Sequence, residues 1–444
     1  MPDETSRAFP RPASRREFLK VSAGVTTSAA FVPDLSRSAW AAGSDVIRVG
    51  LIGAGLRGTD AVTDALDADQ GIKLVAVADL FADKIQASLA KIKEHAQGTS
   101  HEGVVVDADH CFTGFDGYRH VIESSDVVLI ACSSRFHPKY LRAAVAAGKH
   151  VFVEKPHGID PVGVRETQQA CELARNKGLS VLSGLHNRYN PGVRETVKRI
   201  HDGAIGDVVS MEVNFLRAPY VLVERQPGWS EIEYQYRNWY HFSWLSGDDV
   251  TQSLVHSLDK VAWIMHEEPP VKAHGLAGRS ASFGPIYGDV FDHHSVVYEY
   301  GSGTRAYAFC RTQEHCHSGV SDYVFGTKGR AELLSYRIQG EVNWDYAGPF
   351  EHAYKQEQKA FFAGIRSGRL INSGDYMANS TMLAILGQIV CYSGIQMSWR
   401  KAAGSDFAFA PRDCDFKTEP PVKPGPDGLY PVAVPGVTKL IEGT

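Results

Sequence analysis

Apolar and polar positions along this chain follow two alternating periods. Residues 46–52 form a continuous apolar run with one arginine, the pattern of a strand buried on both faces. A glycine turn follows, and residues 59–68 then place their apolar side chains at helical spacing. The unit recurs. Strand 72–78 ends at Asp79 and precedes helix 84–95; strand 126–132 precedes helix 138–147, which Gly148 stops. Strand 150–153, helix 161–177 closed by Gly178, and strand 180–184 complete the series. Short β-rich runs alternating with helices of about ten residues predict βαβ units and a parallel sheet.

The texture changes near residue 186. Segments 208–215, 295–299, 304–312 and 322–326 read as longer strands without regular intervening helices. An antiparallel sheet in a second, α+β domain is the expectation. Helices are expected over 248–266, 354–367 and 375–393, and the tail beyond Cys414 is rich in proline and glycine, as in an irregular surface path. The divisions are 42–185 and 186–444, with no internal repeat.

Composition fits this picture: 444 residues, 43% hydrophobic and 22% charged, describe a soluble chain able to bury ample core. A net charge of −5 without a long basic run argues against nucleic acid and anionic membrane as partners. No run of about 18 apolar residues occurs, so membrane insertion is not expected. Residues 1–41 stand apart. Arg15-Arg16 lies in a basic stretch ahead of a mildly apolar segment, 21–32, and Ala39-Trp40-Ala41 offers a small-x-small cleavage site. This is the layout of a twin-arginine signal, so the mature protein is expected to begin near Ala42 and to be periplasmic or otherwise exported. Seven cysteines without a CxxC pair read as thiols rather than a disulfide framework.

The chemistry concentrates at strand ends. Gly53, Gly55 and Gly58 form a GxGxxG between a strand and a helix, and Asp79 closes the second strand 21 residues beyond Gly58. Gly53 permits the turn, Gly55 the approach of a pyrophosphate, and Gly58 close helix–sheet packing. The helix N-terminus, with Leu56 and Arg57, supplies amide donors to phosphates. Asp79 would accept from ribose hydroxyls and repel a 2′-phosphate, which favours NAD; Arg57 in the loop keeps NADP open. Glu154 and Lys155 follow strand 150–153, where ligands of open α/β sheets sit, and Ser133 and His137 follow strand 126–132. Lys155 is either a proton-handling group beside the cofactor or a surface lysine; His137 either borders the nicotinamide or packs under the next helix. Gln252, His256 and Asp259 share one face if 248–266 is a regular helix, with His256 either an acid/base or a core histidine. Arg188 and Tyr189, and Asn238 and Tyr240, lie in stretches dense in donors and aromatics that suit a sugar's hydroxyl edges and C–H faces. His293-His294 and His315-Cys316-His317 lack the spacing that completes a metal site, and none is assigned.

These motifs, in this order, resemble the glucose–fructose oxidoreductase/inositol dehydrogenase/MocA family over nearly the whole mature chain. The resemblance implies an N-terminal Rossmann domain and a C-terminal α+β domain whose large, mostly antiparallel open sheet supports homo-oligomers. It implies oxidation or reduction of sugars and cyclitols, with Lys155 and His256 matching the catalytic lysine and histidine. Many family members carry an aspartate where this chain has Gln252, so a Lys–Asp–His proton relay is not expected. A nucleotide cofactor inside an exported protein cannot rely on a cytoplasmic pool. The expectation is therefore a tightly held NAD(P), reset in place by a second sugar. A redox-neutral glycosidase acting through transient C3 oxidation is the alternative, and a cofactor-bound sugar sensor without turnover a third.

Overall fold

The computed structural model describes residues 45–441; the expected twin-arginine signal and cleavage site lie outside them. Strands β1 (Ile47–Ile52), β2 (Ile72–Asp79), β3 (Cys111–Thr113), β4 (Val127–Ile130), β5 (His150–Val153) and β6 (Val181–Ser183) form one parallel sheet in the order β3-β2-β1-β4-β5-β6. Helices α1 (Leu56–Ala68), α2 (Ala82–Gly98), α3 (Gly117–Ser124), α4 (His137–Ala146) and α5 (Pro161–Asn176) connect them. Every residue of β4 is buried, as its unbroken apolar run requires of a central parallel strand. The strand order reverses direction between β1 and β4, and a doubly wound sheet opens its ligand crevice at such a point.

Past this sheet, α6 (Pro191–His201) forms where the hydrophobic pattern predicted no element. Asn190 caps it, accepting from the amides of Gly192 and Val193, with Pro191 at the first helical position. Strand β7 (Val208–Arg217) enters the second sheet, followed by α7 (Glu231–Arg237), α8 (Ser243–Ser246) and α9 (Val255–Ile264). Strands β8 (Lys272–Gly278), β9 (His293–Glu299), β10 (Arg305–Thr312), β11 (Gly319–Gly326), β12 (Gly329–Glu332), β13 (Arg337–Gly340) and β14 (Trp344–Asp345) come next. Then follow α10 (Ala353–Ser367), α11 (Gly374–Ser393), β15 (Met397–Ser398) and α12 (Trp399–Ala403). The sheet order is β14-β13-β12-β11-β7-β10-β9-β8-β15; β7 and β10 pair in parallel and the other neighbours are antiparallel. Its inner face, with Val296, Tyr298, Ala306 and Ala308, packs into one core with α9 and α11. No described helix is long and apolar enough to cross a membrane.

Two departures from the sequence pattern matter for the site. The helix expected over 248–266 does not run regularly: Asp248 has φ +72°, and Val250–Leu254 is a π turn that precedes α9. The extra residue in that turn rotates Gln252 off the face it would share with His256 in a regular α-helix. Second, α10 returns to the first sheet. Its Phe361, Phe362 and Ile365 lie in the same core as Ile47, Val49 and Leu51 of β1. Lys355 and Arg366 of this helix pair with Asp67 and Asp69 at the end of α1.

Candidate active site

The three fingerprint glycines have different surroundings. A Cβ on Gly53, at φ +98°, would lie 2.4 Å from the Cys132 amide nitrogen, and one on Gly58 would lie 1.9 Å from the Gly53 carbonyl oxygen. A Cβ on Gly55 would meet nothing within 4 Å. Gly53 and Gly58 therefore let the chain pack, while Gly55 borders open space. Gly55 is also the N-cap of α1; it offers no side-chain cap, and the first turn holds no acidic residue. Unspent amides at a helix start form an anion site. Leu56, 68% exposed, projects at the same end. Asp79 closes β2 with one carboxylate oxygen accepting from the Ala54 amide at 2.8 Å and the other from Phe81 at 3.1 Å. Burial raises its pKa. This cradle fits the diphosphate and ribose of a dinucleotide.

Arg57 reaches away from Asp79. Its guanidinium donates to Glu154 at 2.6 Å, stands 3.4 Å from Asp64 and 3.5 Å from Glu357 on α10, and lies over the Tyr354 ring at 4.5 Å. Glu154 has room because a Cβ on Gly184 would fall 2.8 Å from its carboxyl carbon. Burial pushes the Glu357 carboxyl well above its usual range, partly offset by Arg57. Lys155 follows Glu154, and its Nζ donates to the Gln252 carbonyl oxygen at 2.6 Å.

His256 stands one turn beyond Gln252, 9% exposed. Its Nδ1 is buried with no partner, and its ring meets His186 at 4.9 Å and Phe215 at 6.2 Å between centroids. Burial, and then Lys155, His186, Lys260 and Arg57, drive its pKa well below the ordinary imidazole value. It is neutral across the physiological range. Its carbonyl accepts from the buried Lys260, whose Nζ pairs with Asp322 at 3.1 Å under the large sheet.

The remaining sequence candidates divide. Tyr240 lies in an aromatic wall, stacked on Tyr220 at 4.2 Å and on Trp239 at 3.8 Å. Gln252 turns inward, its amide donating to Ser134 Oγ at 2.7 Å and to the Ser246 carbonyl. Arg188 and Asp259 saturate each other at 2.8 Å, with Glu267 at 2.7 Å from the same guanidinium and Ser380 on the same carboxylate. Tyr189 packs against the core of the first sheet. Asn238 is spent on loop anchors, accepting from Val223 and donating to Ile286. His137, 1% exposed, is wedged between the carbonyls of Pro156 and Cys132, and Ser133 Oγ donates to Leu245. The structure thus gathers the glycine loop, Asp79, Glu154, Lys155, Tyr240 and His256, and commits Gln252, Arg188, Asp259, Asn238, Ser133 and His137 to internal bonds.

Sequence reasoning did not single out His186, Tyr354 or Glu357. Tyr354 stacks on His186 at 4.0 Å, and Glu357 lies 300 positions from its partner Arg57. Among the described residues no group of three or more His, Cys, Asp or Glu side chains is arranged to hold a metal ion; His294 turns inward to Asp248 and His293 outward to Asp292. All seven cysteines are free thiols.

A parallel sheet with this strand order, an open anion cradle and a lysine and a histidine beyond its strand ends define a dinucleotide-dependent enzyme. Two family profiles match the chain: the oxidoreductase family with an NAD-binding Rossmann fold over residues 47–185, and the GFO/IDH/MocA C-terminal domain over 193–332. The protein belongs to this GFO/IDH/MocA family of NAD-binding oxidoreductases. It is similar to inositol 2-dehydrogenase of Klebsiella pneumoniae, 30% identical over 337 residues, 73% of this chain and 87% of that protein. The Pseudomonas fluorescens inositol 2-dehydrogenase is 25% identical over 73% of this chain and 88% of its own. In fold it resembles an aldose-aldose oxidoreductase from Caulobacter crescentus, with a TM-score of 0.62 and 17% identity over 80% of this chain and 99% of that one. A scyllo-inositol dehydrogenase from Lactobacillus casei, solved with NAD(H) and scyllo-inositol, gives a TM-score of 0.59 at 19% identity over 80% of this chain and 99% of its own.

Proposed function

We propose that the protein oxidises or reduces a CH–OH group of a sugar, sugar derivative or cyclitol, using an NAD that stays bound through the catalytic cycle. The observation that carries this reading is the convergence of Lys155 and the neutral His256 beside the Gly55 cradle. NAD, when bound, supplies the hydride-accepting nicotinamide, and the protein supplies position and proton handling. The α1 amides, Gly55 and Asp79 would hold it. Asp79 beside the ribose disfavours a 2′-phosphate, and Arg57, committed to Glu154 and Glu357, is not available to pair with one. Both features support NAD over NADP.

In the oxidative direction the substrate hydroxyl must lose a proton as its C–H bond breaks. His256, uncharged, can take that proton, while the Lys155 ammonium stabilises the oxygen as negative charge develops. Gln252 cannot accept a proton. Its backbone carbonyl instead orients Lys155.

Export through the twin-arginine route would deliver the folded protein with its cofactor to the periplasm, where a second sugar resets it. The outer face of the large sheet supports a homo-oligomer, because Leu216, Tyr307, Phe309, Tyr323 and Phe325 are only half-buried there and pack against neither core. Mass spectrometry of nucleotide released from protein purified from the cell envelope tests retention. Inositols and aldoses, followed by nicotinamide absorbance, test chemistry. Retained NAD and an absorbance change that a second sugar reverses are expected. Protein empty of nucleotide refutes the retention, and aglycone release from aryl glycosides without net cofactor change would replace the oxidoreductase with the redox-neutral glycosidase.

A further inference from the structure

His186 sits in the short 3₁₀ turn His186–Tyr189 directly after β6. Its ring edge meets His256 at 4.9 Å and 61°, while its face stacks on Tyr354 at 4.0 Å. Three buried imidazoles in this protein have partners on both nitrogens, while His241 leaves its Nε2 without one. His137 lies between two carbonyls, His157 between the hydroxyls of Thr381 and Ser183, and His294 between Asp248 and Cys310. His186 and His256 differ: the Nδ1 of each is buried with no partner. An unpaired buried polar nitrogen is destabilising, and an aromatic hydrocarbon would fill the same space without that cost. Two such rings stand side by side, each within reach of the Lys155 charge, and each carries unmet hydrogen-bonding capacity.

We propose that His186 is a substrate-binding residue that recognises the hydroxyl neighbouring the one that reacts at His256, so that the site reads a vicinal diol. This rests on the CH–OH reading above. A hydroxyl both donates and accepts, so it satisfies either tautomer of a neutral imidazole. Hydroxyls on adjacent carbons of a six-membered ring are close enough to serve two imidazoles in edge contact. Burial, and then Lys260, Arg57 and Lys155, drive the His186 pKa down to about 3, so the two rings meet without charge repulsion. Stacking on Tyr354 fixes the ring plane before substrate arrives, which limits the entropy lost on binding.

The test is a cycle of enzyme and substrate changes on the NAD-loaded protein. Inositols and aldohexoses are compared with monodeoxy analogues lacking the neighbouring hydroxyl, using wild type, His186→Phe and His186→Gln. Phenylalanine keeps the stack on Tyr354 and removes both nitrogens. Wild type should favour the intact polyol by roughly five- to tenfold in kcat/KM, about one hydrogen bond. His186→Phe should lose that factor on the polyol and none on the deoxy compound, and His186→Gln should regain part of it. Equal losses on both substrates, or none on either, overturn the proposal. If no compound turns over, the CH–OH reading itself fails; calorimetric binding of the same pairs then reads the cycle independently, and equal affinities for polyol and deoxy analogue overturn the role of His186.

Discussion

Gly55 and Gly58 lie three residues apart in one loop, yet alanine should weaken mainly cofactor binding at the first and stability as well at the second. At Gly55 the new Cβ enters open space, with nothing within 4 Å. The backbone there, φ −79° and ψ −172°, is an ordinary extended one that alanine adopts freely. The only folding penalty is exchange of an N-cap glycine for alanine, at most about 1 kcal/mol, a melting shift of about 2 °C in a protein of this size. The open space, however, is where the cradle would take a phosphate. Displacing it breaks at least one charge-assisted amide bond, about 1.5–3 kcal/mol, or ~10- to 150-fold in cofactor affinity. At Gly58 the Cβ would stand 1.9 Å from the Gly53 carbonyl oxygen, a backbone atom that cannot rotate away. Helix α1 must move, with an overpacking penalty of about 1–3 kcal/mol added to the loss of cofactor. Calorimetric NAD titration and thermal melts of cofactor-stripped protein separate the two. A Gly55→Ala protein that binds NAD as tightly as wild type would refute the assignment of the cradle.

Other consequences follow from the buried charges. Arg57→Met leaves Glu154 and the buried Glu357 facing each other without a cation, which should cost about 3–5 kcal/mol near pH 8. The deficit should shrink toward pH 5 as the raised Glu357 carboxyl takes up a proton; equal denaturant midpoints for variant and wild type at pH 8 would show that the network is idle. Burial alone would lower the His294 pKa, but Asp248, 3.0 Å away, outweighs it and the value is raised. The stabilisation is therefore complete below the unfolded histidine pKa of about 6.5 and is lost as pH rises through the folded value. His294→Gln should destabilise by about 3 kcal/mol at pH 6 and flatten the alkaline decline; parallel stability–pH curves would contradict this. Burial works to raise the Asp292 pKa, yet the amides of Ser282, Ala281 and Ser280 together with His293 bring it to about 2. Asp292→Asn should lose about 1–2 kcal/mol above pH 4, allowing for solvent screening, and match wild type near pH 2.

The parallel βαβ character of the first sheet was legible because β4 is an unbroken apolar run, β1 and β5 each carry a single polar residue, and the glycine loop announces its own turn. β3 and α3 were not, since Cys111–Thr113 is too short to show a period and α3 too mixed. β8 escaped notice because His274, Gly275 and Gly278 interrupt its alternation. The π turn before α9 leaves no mark in hydrophobic spacing, so Gln252 looked like a neighbour of His256 when it turns to Ser134. Long-range pairing was equally hidden. Nothing near Arg188 says that Asp259, 71 residues on, will consume it, and the donor-rich sequence drew attention to Arg188 while His186, two residues earlier, is the side chain whose ring meets His256. Lys155 drew attention because strand ends in open α/β sheets have a known direction, and His256, on a helix, through the family resemblance. The apolar and aromatic surroundings that set their chemistry were not legible.

The return of α10 has a bearing on synthesis and on engineering. Phe361, Phe362 and Ile365 complete the interior beneath β1, so the nucleotide half cannot finish folding while Ala353–Ser367 is still in the ribosome. Cutting the gene near residue 185 would yield a fragment with an exposed greasy flank rather than a portable cassette. Recombination that exchanges cofactor specificity must carry this distant helix along.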